Sequence, residues 1–343
     1  MKRLLIILLL ATAVTACGPN EPETITLMTH DSFAISEETL DAFEAENGVT
    51  VELLPAGDTG AALNQAILAK EAPLADVFFG VDNTFMGRAL EAGIFEPYAS
   101  PLLAQVPDVF KLDSENRLLP VDFGDVCLNY DKAWFAESGL PLPQSLAELA
   151  DPVYAGLLVV ENPATSSPGL AFMLATIAEF GEEGYLDFWA ALRANDLLVT
   201  NGWEEAYYGS FSVASDGERP LVVSYASSPP AEFIYADPPV AEAPSASLVG
   251  PGMCFRQIEF VGILAGTEKR ELAEKLVDFM LGQTFQEDMP LNMFVYPANE
   301  YAALPEAFVE WTQVPQETAV LSPETINNNR EQWIEAWTEL VLR

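Results

Sequence analysis

The chain has 343 residues, with 15 Lys and Arg, 52 Asp and Glu and one His, and its formal net charge is −37 at neutral pH. So negative a chain repels polyanions, and no stretch of it is basic, which argues against a protein that binds nucleic acid or docks directly on anionic lipid headgroups. Half of the residues are hydrophobic and 20% are charged, as is typical of a globular protein, and the length favours about two domains.

The N-terminal residues predict a secretory signal. Two basic residues precede an apolar run over residues 4–10, which is too short for a membrane span. The sequence V-T-A-C at residues 14–17 is similar to a bacterial lipobox, in which cleavage leaves the cysteine lipid-modified. We therefore expect a signal peptide over 1–16, a lipid on Cys17 and a flexible tether over 17–23. The alternative is a plain signal peptide in which Cys17 occurs by chance.

The first part of the chain alternates between strand and helix patterns. The predicted strands are 24–28, 49–54 and 77–80, and the predicted helices between them are 37–46 and 60–70. This alternation predicts a parallel sheet with helices on its faces.

The second part continues in the same way, with a proline-rich loop over 228–251. Strands are predicted at 157–160 and 221–225, and helices at 169–180, 185–194, 271–281 and from Ser322 onward. Ser322 and Pro323 suit the N-cap and first positions of the last helix, on which Trp333 and Trp337 share an apolar stripe that we interpret as packing. The sequence therefore predicts two α/β lobes, and ligands of such sheets bind in the crevice beyond the carboxyl ends of the strands.

Cys127 and Cys254 are the cysteines that remain after Cys17. Outside a reducing cytosol this even pair is a candidate disulfide, and two separate buried thiols are the alternative. With one His and no Cys/His cluster, a zinc site is not expected, and we predict no cofactor.

Five segments that follow predicted strands carry candidate site residues. They are 29–33, 57–60, 164–169, 201–208 and 224–229, which we interpret as loops. The second and third precede helices, where free backbone N–H groups favour an oxygen-bearing group. Neither contains Lys or Arg, so they suit a neutral or modestly anionic group rather than a multiply charged one.

Aromatic residues accompany these segments in an acidic setting. Trp203, Tyr225, Phe294 and Tyr296 offer ring faces that attract cations, each close contact contributing roughly 0.5–2 kcal/mol. Together with the hydroxyl-rich helix starts, they predict an organic cation with an oxygen-bearing tail. Taken singly, the hydroxyls are also explained as helix caps and the aromatic rings as core.

Five motifs in order give the chain a resemblance to the thiamine-binding subunits of bacterial ABC importers. They are T-H-D-S-F at 29–33, A-D-V-F-F-G-V-D-N at 75–83, T-S-S-P-G-L at 165–170, G-W-E-E-A-Y at 202–207 and S-Y-A-S-S-P at 224–229. The resemblance spans about residues 24 to 343. It implies the α/β, two-lobed type II periplasmic-binding-protein fold, each lobe a mixed, mostly parallel sheet flanked by helices, the lobes joined by two crossover strands. Thiamine or its phosphates would lie in the cleft.

The resemblance also implies which residues bind the ligand. Trp203 and Tyr225 would form walls of the cleft, and the Asp31 carboxylate would accept from the exocyclic amine of the aminopyrimidine. His30 and Phe294 stand where family members often have Tyr and Trp. The implied set is His30, Asp31, Ser32, Asp58, Thr59, Gly60, Ser166, Ser167, Gly169, Trp203, Tyr225, Ser227, Phe294 and Tyr296.

The same resemblance implies the arrangement of the lobes and the partners. Residues 24–126 with 255–343 would form lobe 1, including C-terminal helices that pack partly on lobe 2, and 127–254 would form lobe 2. The crossovers would lie near the two cysteines, so that a Cys127–Cys254 disulfide would staple the hinge. The protein would be a monomer in the periplasm or on the outer face of the cell membrane, held there by its lipid anchor only, and would serve an ABC transporter permease and its ATPase.

Two alternatives compete with a solute-binding role without catalysis. A thiaminase-like enzyme, which resembles the same fold, would use Cys127 as its nucleophile, and a disulfide to Cys254 would exclude it. A ferric-ion binding protein would use the adjacent Tyr207 and Tyr208, whose phenolate oxygens suit Fe(III). A serine hydrolase is not expected, since the consecutive residues His30, Asp31 and Ser32 cannot align as a triad.

Overall fold

The computed structural model describes residues 22–343, so the predicted signal peptide and Cys17 lie outside the described residues. Residues 22–343 contain eleven strands, and the first begins at Glu23, the last residue of the predicted tether. They are β1 (Glu23–Thr29), β2 (Val49–Pro55), β3 (Val77–Asp82), β4 (Phe95–Glu96), β5 (Leu119–Asp131), β6 (Leu158–Glu161), β7 (Leu198–Thr200), β8 (Leu221–Tyr225), β9 (Ser245–Leu248), β10 (Phe255–Leu264) and β11 (Tyr296–Pro297).

In the described part of the chain, twelve α-helices connect and flank these strands. They are α1 (Glu37–Asn47), α2 (Thr59–Leu68), α3 (Met86–Ala92), α4 (Lys132–Ser138), α5 (Leu146–Leu149), α6 (Ser167–Ala194), α7 (Trp203–Ser210), α8 (Pro230–Ile234), α9 (Arg270–Leu281), α10 (Gln283–Asn292), α11 (Glu306–Trp311) and α12 (Pro323–Val341). Within residues 22–343, none of the helices combines the length and the apolar composition that crossing a membrane requires.

The sheet divides into two parallel halves around two long antiparallel strands. Its order is β2-β1-β3-β10-β5-β8-β6-β7. Strands β1, β2 and β3 are parallel to each other on one side, which we call lobe 1, and β6, β7 and β8 are parallel on the other side, which we call lobe 2. Strands β5 and β10 pair with each other and reach both halves. This confirms the predicted fold class, while the predicted residue boundaries of the lobes stay a prediction.

The predicted elements are present, and two segments that we interpreted as loops contain further elements. Residues 201–208 contain α7 rather than a loop, and the N–H of its first residue, Trp203, donates to the Asp58 carboxylate, far away in the chain. The proline-rich segment 228–251 includes α8 and β9. The two helices predicted over 169–194 are both present as the two segments of α6, which are separated by a break at Gly181, whose φ of 73° and ψ of 171° are not helical.

The last helix, α12, contacts both lobes. The Ser322 side chain caps it by accepting from the N–H of Thr325 at 3.0 Å, as the local pattern predicted. The Trp337 ring packs edge-on against that of Trp189 in α6, with 5.3 Å between centroids, and the Arg330 guanidinium lies 4.9 Å from the centre of the Phe85 ring next to α3. Trp337 is fully buried, which confirms that it is a packing residue.

A disulfide joins Cys127 in β5 to Cys254, the residue before β10. Their Cα atoms are 4.4 Å apart, and both side chains are fully buried beside Ala226. The covalent link therefore lies where the two long strands pass between the lobes.

Candidate functional site

A cavity of about 540 Å³ opens between the lobes at the ends of several strands. The loop after β1, the start of α7, the end of β8 and the segment before β11 each contribute to its wall. Its lining residues are His30, Ser32, Ala34, Trp203, Glu204, Tyr208, Tyr225, Glu259, Asn292, Met293, Phe294 and Val295. The crevice predicted from the sheet topology is thus present and has aromatic walls.

A smaller cavity of about 220 Å³ adjoins the first. It shares His30, Ser32, Trp203, Tyr225 and Glu259 with the larger cavity and adds Asp58, Thr59, Ser167 and Pro168. The larger space is therefore bounded by rings and the smaller one by hydroxyl and carboxyl groups at helix starts.

The carboxylate of Asp58 accepts hydrogen bonds from the first residues of three helices. The donors are the backbone amides of Thr59 in α2 at 2.6 Å, Ser167 in α6 at 3.1 Å and Trp203 in α7 at 3.0 Å. Helix N-termini carry partial positive charge, so a carboxylate is stabilised there. Burial nevertheless raises the pKa of Asp58 to about 6, since the hydrogen bonds offset only part of the desolvation.

These contacts join the lobes, because Asp58 follows β2 whereas Ser167 and Trp203 follow β6 and β7. The N–H of Ala61 also donates to the carbonyl of Thr165 at 3.2 Å. A Cβ on Gly60 would lie 2.8 Å from the same carbonyl oxygen, so only glycine permits this approach without a shift. Gly60 thus serves the contact between the lobes and does not line either cavity.

His30 forms part of the floor of both cavities. Its Nδ1 is hydrogen-bonded to the Oγ of Ser32 at 2.9 Å, and its Nε2 lies 3.5 Å from a carboxylate oxygen of Glu259. Burial lowers the pKa of His30 to about 4, so the imidazole is neutral at pH 7. The ring lies so close to Gly80 that a Cβ there would be 2.5 Å from the His30 Cδ2, and the φ of Gly80 is +108°.

Four aromatic side chains, Trp203, Tyr208, Tyr225 and Phe294, line the larger cavity, and two of them are held by hydrogen bonds. The Trp203 indole N–H donates to the Oγ of Ser224 at 2.9 Å, and the Tyr225 hydroxyl donates to the Oε1 of Gln257 at 2.9 Å. Phe294 has a φ of 55°, an unusual conformation for a bulky residue, and it lies at the cavity wall. Ring faces fixed in this way are suited to stacking on a planar ligand.

The charges around both cavities are exclusively carboxyl groups. Glu204 and Glu259 line the larger cavity and Asp58 the smaller one, whereas neither lining contains Lys or Arg. Because His30 is neutral, nothing in the lining balances these acids. The arrangement of carboxyl groups and ring faces therefore favours a positively charged organic ligand.

Six residues of the predicted set lie outside both linings. Asp31 is exposed, and its own N–H donates to the carbonyl of Gly57 at 3.1 Å. Tyr296 stacks on Phe123 with 5.3 Å between ring centroids and donates to Thr312, so it supports the wall from behind. The remaining four, which cap, pack or lie buried away from the cavities, are Gly60, Ser166, Gly169 and Ser227.

Glu259 and Glu204 are the lining carboxyl groups absent from the predicted set. Glu259 carries a signal in the sequence, because it is the one charged residue in the otherwise apolar run I-E-F-V-G-I-L of β10. A strand position of this kind is expected to be buried. Acidic side chains are rarely buried unless they have a hydrogen-bond or charge partner or take part in function. Glu204 carries no such signal, since acids are common in the first turn of a helix.

Cys127 and Tyr207, which the two alternative functions require, are otherwise engaged, whereas Tyr208 lines the larger cavity. Cys127 is fully buried in its disulfide, so in this state it has no thiol to act as a nucleophile. The hydroxyl of Tyr207 donates to Glu232, and Tyr207 lines neither cavity. Across residues 22–343, no three His, Cys, Asp or Glu side chains are grouped so as to hold a metal ion.

The comparisons with known proteins agree with this architecture. Residues 72–316 match the family described as bacterial extracellular solute-binding protein. The chain is 30% identical to the thiamine-binding periplasmic protein of Brucella suis biovar 1 (strain 1330), over 92% of this chain and 91% of that protein. It is also 30% identical to the thiamine-binding periplasmic protein of Escherichia coli (strain K12), over the full length of both.

A solved structure titled periplasmic thiamin binding protein superposes with a TM-score of 0.84 and 28% identity, covering 95% of this chain and 98% of that one. The match of the family extends over more than half of the sequence, and the relatives align from end to end. The chain therefore belongs to the bacterial extracellular solute-binding proteins.

Proposed function

We propose that this protein captures thiamine in the cleft between its lobes. The observation that carries the proposal is a cleft lined by fixed aromatic faces and carboxyl groups without any Lys or Arg. Thiamine has a positively charged thiazolium, an aminopyrimidine and a hydroxyethyl tail, which match the rings, the acids and the adjoining polar space. The names of the relatives, thiamine-binding periplasmic proteins, support the same ligand.

The two heterocycles would stack in the larger cavity against Trp203, Tyr225 and Phe294. The tail would reach the smaller cavity, where the Thr59 and Ser167 hydroxyls and the Asp58 carboxyl lie. An alcohol can donate to Asp58, whereas a phosphate would compete with Asp58 for amides that already bind it. We therefore propose thiamine as the preferred form, with its monophosphate and diphosphate as weaker ligands.

Binding would proceed by closure of the lobes. Residues 24–126 with 255–343 would move against 127–254 about the two long strands, and the ligand would stabilise the closed arrangement by contacting both sides. The loaded monomer would then dock on the permease of an ABC importer whose ATPase drives transport. The proposal includes no catalytic step and no nucleic-acid partner.

The place of action would be outside the cytoplasm. Removal of residues 1–16 and lipid modification of Cys17 would hold the protein on the cell membrane by its anchor alone. Mass spectrometry of the mature N-terminus should find a lipid-modified cysteine. A Cys17→Ala variant, which cannot carry this lipid, should no longer be found in the membrane fraction. A mature chain with unmodified Cys17 would contradict this.

Titration of intrinsic tryptophan fluorescence tests the ligand directly. We expect saturable quenching or enhancement with thiamine, weaker binding of its mono- and diphosphates, and weaker binding still of the free aminopyrimidine. No response to thiamine in fluorescence and calorimetry would overturn the proposal. Incubation with thiamine and a nucleophilic amine should release no thiazole, and addition of ferric citrate should produce no visible charge-transfer band. Release of thiazole would revive the thiaminase-like alternative, and a charge-transfer band would revive the ferric-ion alternative.

A further inference from the structure

Glu259 lies at the centre of the floor of the cleft. It is one of five residues that line both cavities, and its side chain is only 5% exposed. It projects from β10, one of the two strands that reach both lobes. A ligand that filled the larger cavity would contact this carboxyl group from above.

Within residues 22–343, no cationic group faces Glu259. From the end of β1 comes the neutral imidazole of His30, whose Nε2 is 3.5 Å away and has no hydrogen-bond partner among the described residues. From β5 comes Asp122, which is paired directly with Glu259 in the register of the two strands. The remaining titratable groups that act on it are Asp82 of β3, Asp58 beside α2 and Tyr225 of β8.

Asp122 brings no group that compensates the negative charge of the Glu259–Asp122 pair. It is fully buried, and among residues 22–343 the one group that shares a hydrogen bond with its carboxyl is Glu259 itself, so no N–H or hydroxyl donor neutralises the pair. The nearest arginine along the strand, Arg256, is bound instead to Asp125, with Nε 2.7 Å from a carboxylate oxygen. Two adjacent buried carboxyl groups without a counter-ion retain a proton, and burial together with Asp122 raises the pKa of Glu259 well above its ordinary range.

We propose that Glu259 selects a positively charged ligand and that binding of the cation releases a proton from the Glu259–Asp122 pair. The ligand supplies the missing positive charge, the carboxyl group becomes a carboxylate beside it, and the proton passes to the solvent. This inference rests on the proposed function, because thiamine provides the permanent cation. It explains how an acidic floor remains buried in the empty cleft and is used only when the ligand arrives.

The number of protons released can be measured by calorimetry of thiamine binding at pH 7 in two buffers of different ionisation enthalpy, such as phosphate and Tris. We expect about one proton released per thiamine by the unsubstituted protein. A neutral isostere, in which a thiophene replaces the thiazolium, should bind without release. Equal observed enthalpies in the two buffers with thiamine would overturn the inference, and this measurement needs no variant.

Two variants test whether the proton release depends on Glu259. Glu259→Gln should abolish the release and weaken thiamine at least about tenfold, while affinity for the thiophene isostere changes by less than about threefold. Glu204→Gln is the matched control, because Glu204 lines the same cavity from the start of α7. In Glu204→Gln, thiamine binding should still release a proton. Circular dichroism and melting of the ligand-free variants verify their folding.

Each outcome has a distinct meaning. Equal losses for the cation and its neutral isostere in Glu259→Gln would show that Glu259 is only structural and would overturn the inference. Release that disappears in Glu204→Gln and persists in Glu259→Gln would also overturn it. Failure of thiamine to bind the unsubstituted protein would instead overturn the proposed function, and this inference with it.

Discussion

The carboxylate of Asp58 accepts a hydrogen bond of 3.0 Å from the backbone amide of Trp203, and this bond crosses from one lobe to the other. Asp58 is thereby both the N-cap of α2 and a partner for the first residue of α7. The same carboxylate accepts from Ser167 at the start of α6. One side chain therefore connects lobe 1 to two helices of lobe 2.

Replacing Asp58 should loosen the closed arrangement. In Asp58→Ala the amides of Ser167 and Trp203 lose their acceptor, and we expect thiamine affinity to fall by about 1–3 kcal/mol. Calorimetry measures the affinity, and solution scattering should show a larger radius of gyration. Asp41→Ala, an exposed acid on α1, is the control and should bind normally. Unchanged affinity in Asp58→Ala would contradict this role.

Trp203 should contribute directly to affinity through its ring. Trp203→Ala removes a face of the larger cavity, and thiamine binding should weaken by about 1–3 kcal/mol. Trp134→Ala in α4, outside both cavity linings, controls for the loss of a partly buried indole. If calorimetry gave the same affinity for both variants, the stacking role of Trp203 would be excluded.

Gly80 should be required for the position of His30. An alanine there combines a φ of +108° with a Cβ 2.5 Å from the imidazole, so Gly80→Ala should lower the free energy of unfolding by about 1–3 kcal/mol and weaken binding. Gly139→Ala is a matched control, because its φ is +68° but no atom lies within 4 Å of the added Cβ. Gly80→Ala with His30→Ala should recover the steric part of the loss. Equal melting temperatures for the two single variants would argue against the clash.

The buried acids should make the ligand-free protein more stable at pH 5 than at pH 8. Burial raises the pKa of Asp82 from its ordinary 3.8 to about 7, and burial beside Glu259 also raises the pKa of Asp122 above its ordinary value. At pH values between the ordinary pKa of these acids and their raised pKa in the folded protein, the folded state binds more protons than the unfolded chain. Stabilisation is complete below the unfolded pKa and is lost as pH rises through the folded one, by up to about 1.4 kcal/mol per group and pH unit.

Melting temperatures from pH 5 to pH 8 measure this slope. Asp82→Asn should flatten it, because the asparagine oxygen can still accept from the N–H of Phe85 while the titrating proton is gone. A melting temperature that rose towards pH 8 would show that other groups dominate.

The disulfide should stabilise the fold through the long loop that it closes. Cys127 and Cys254 are 127 residues apart, and replacing both by Ser should lower the free energy of unfolding by about 2–4 kcal/mol. Denaturant unfolding with and without reductant measures the change, and thiol counting on the native, unreduced protein should find no reactive cysteine. Two reactive thiols in that count would contradict the link.

Local signals in the sequence were enough for the predicted strands and helices and for one helix cap. Ser322 caps the helix that its position predicted, because an N-cap depends only on residues within one turn, whereas Ser166, expected to bind the ligand, caps α6. The aromatic residues Trp203, Tyr225 and Phe294 also line the predicted crevice. Tyr296 and Asp31 do not, since whether a side chain at a strand end faces a cavity depends on neighbouring strands that the local pattern does not describe.

By itself, the sequence determined the two-lobed α/β architecture, the acidic character and the family resemblance, all of which depend on periodicity, composition and ordered motifs. Only the tertiary structure decided that Asp58 binds amides of three helices and that Glu259 faces Asp122 and His30 in the floor of the cleft. The physical reason is that these carboxyl groups draw their partners from segments far apart in the chain. Their charge state depends on burial and on those partners, which exist only once the lobes have folded against each other.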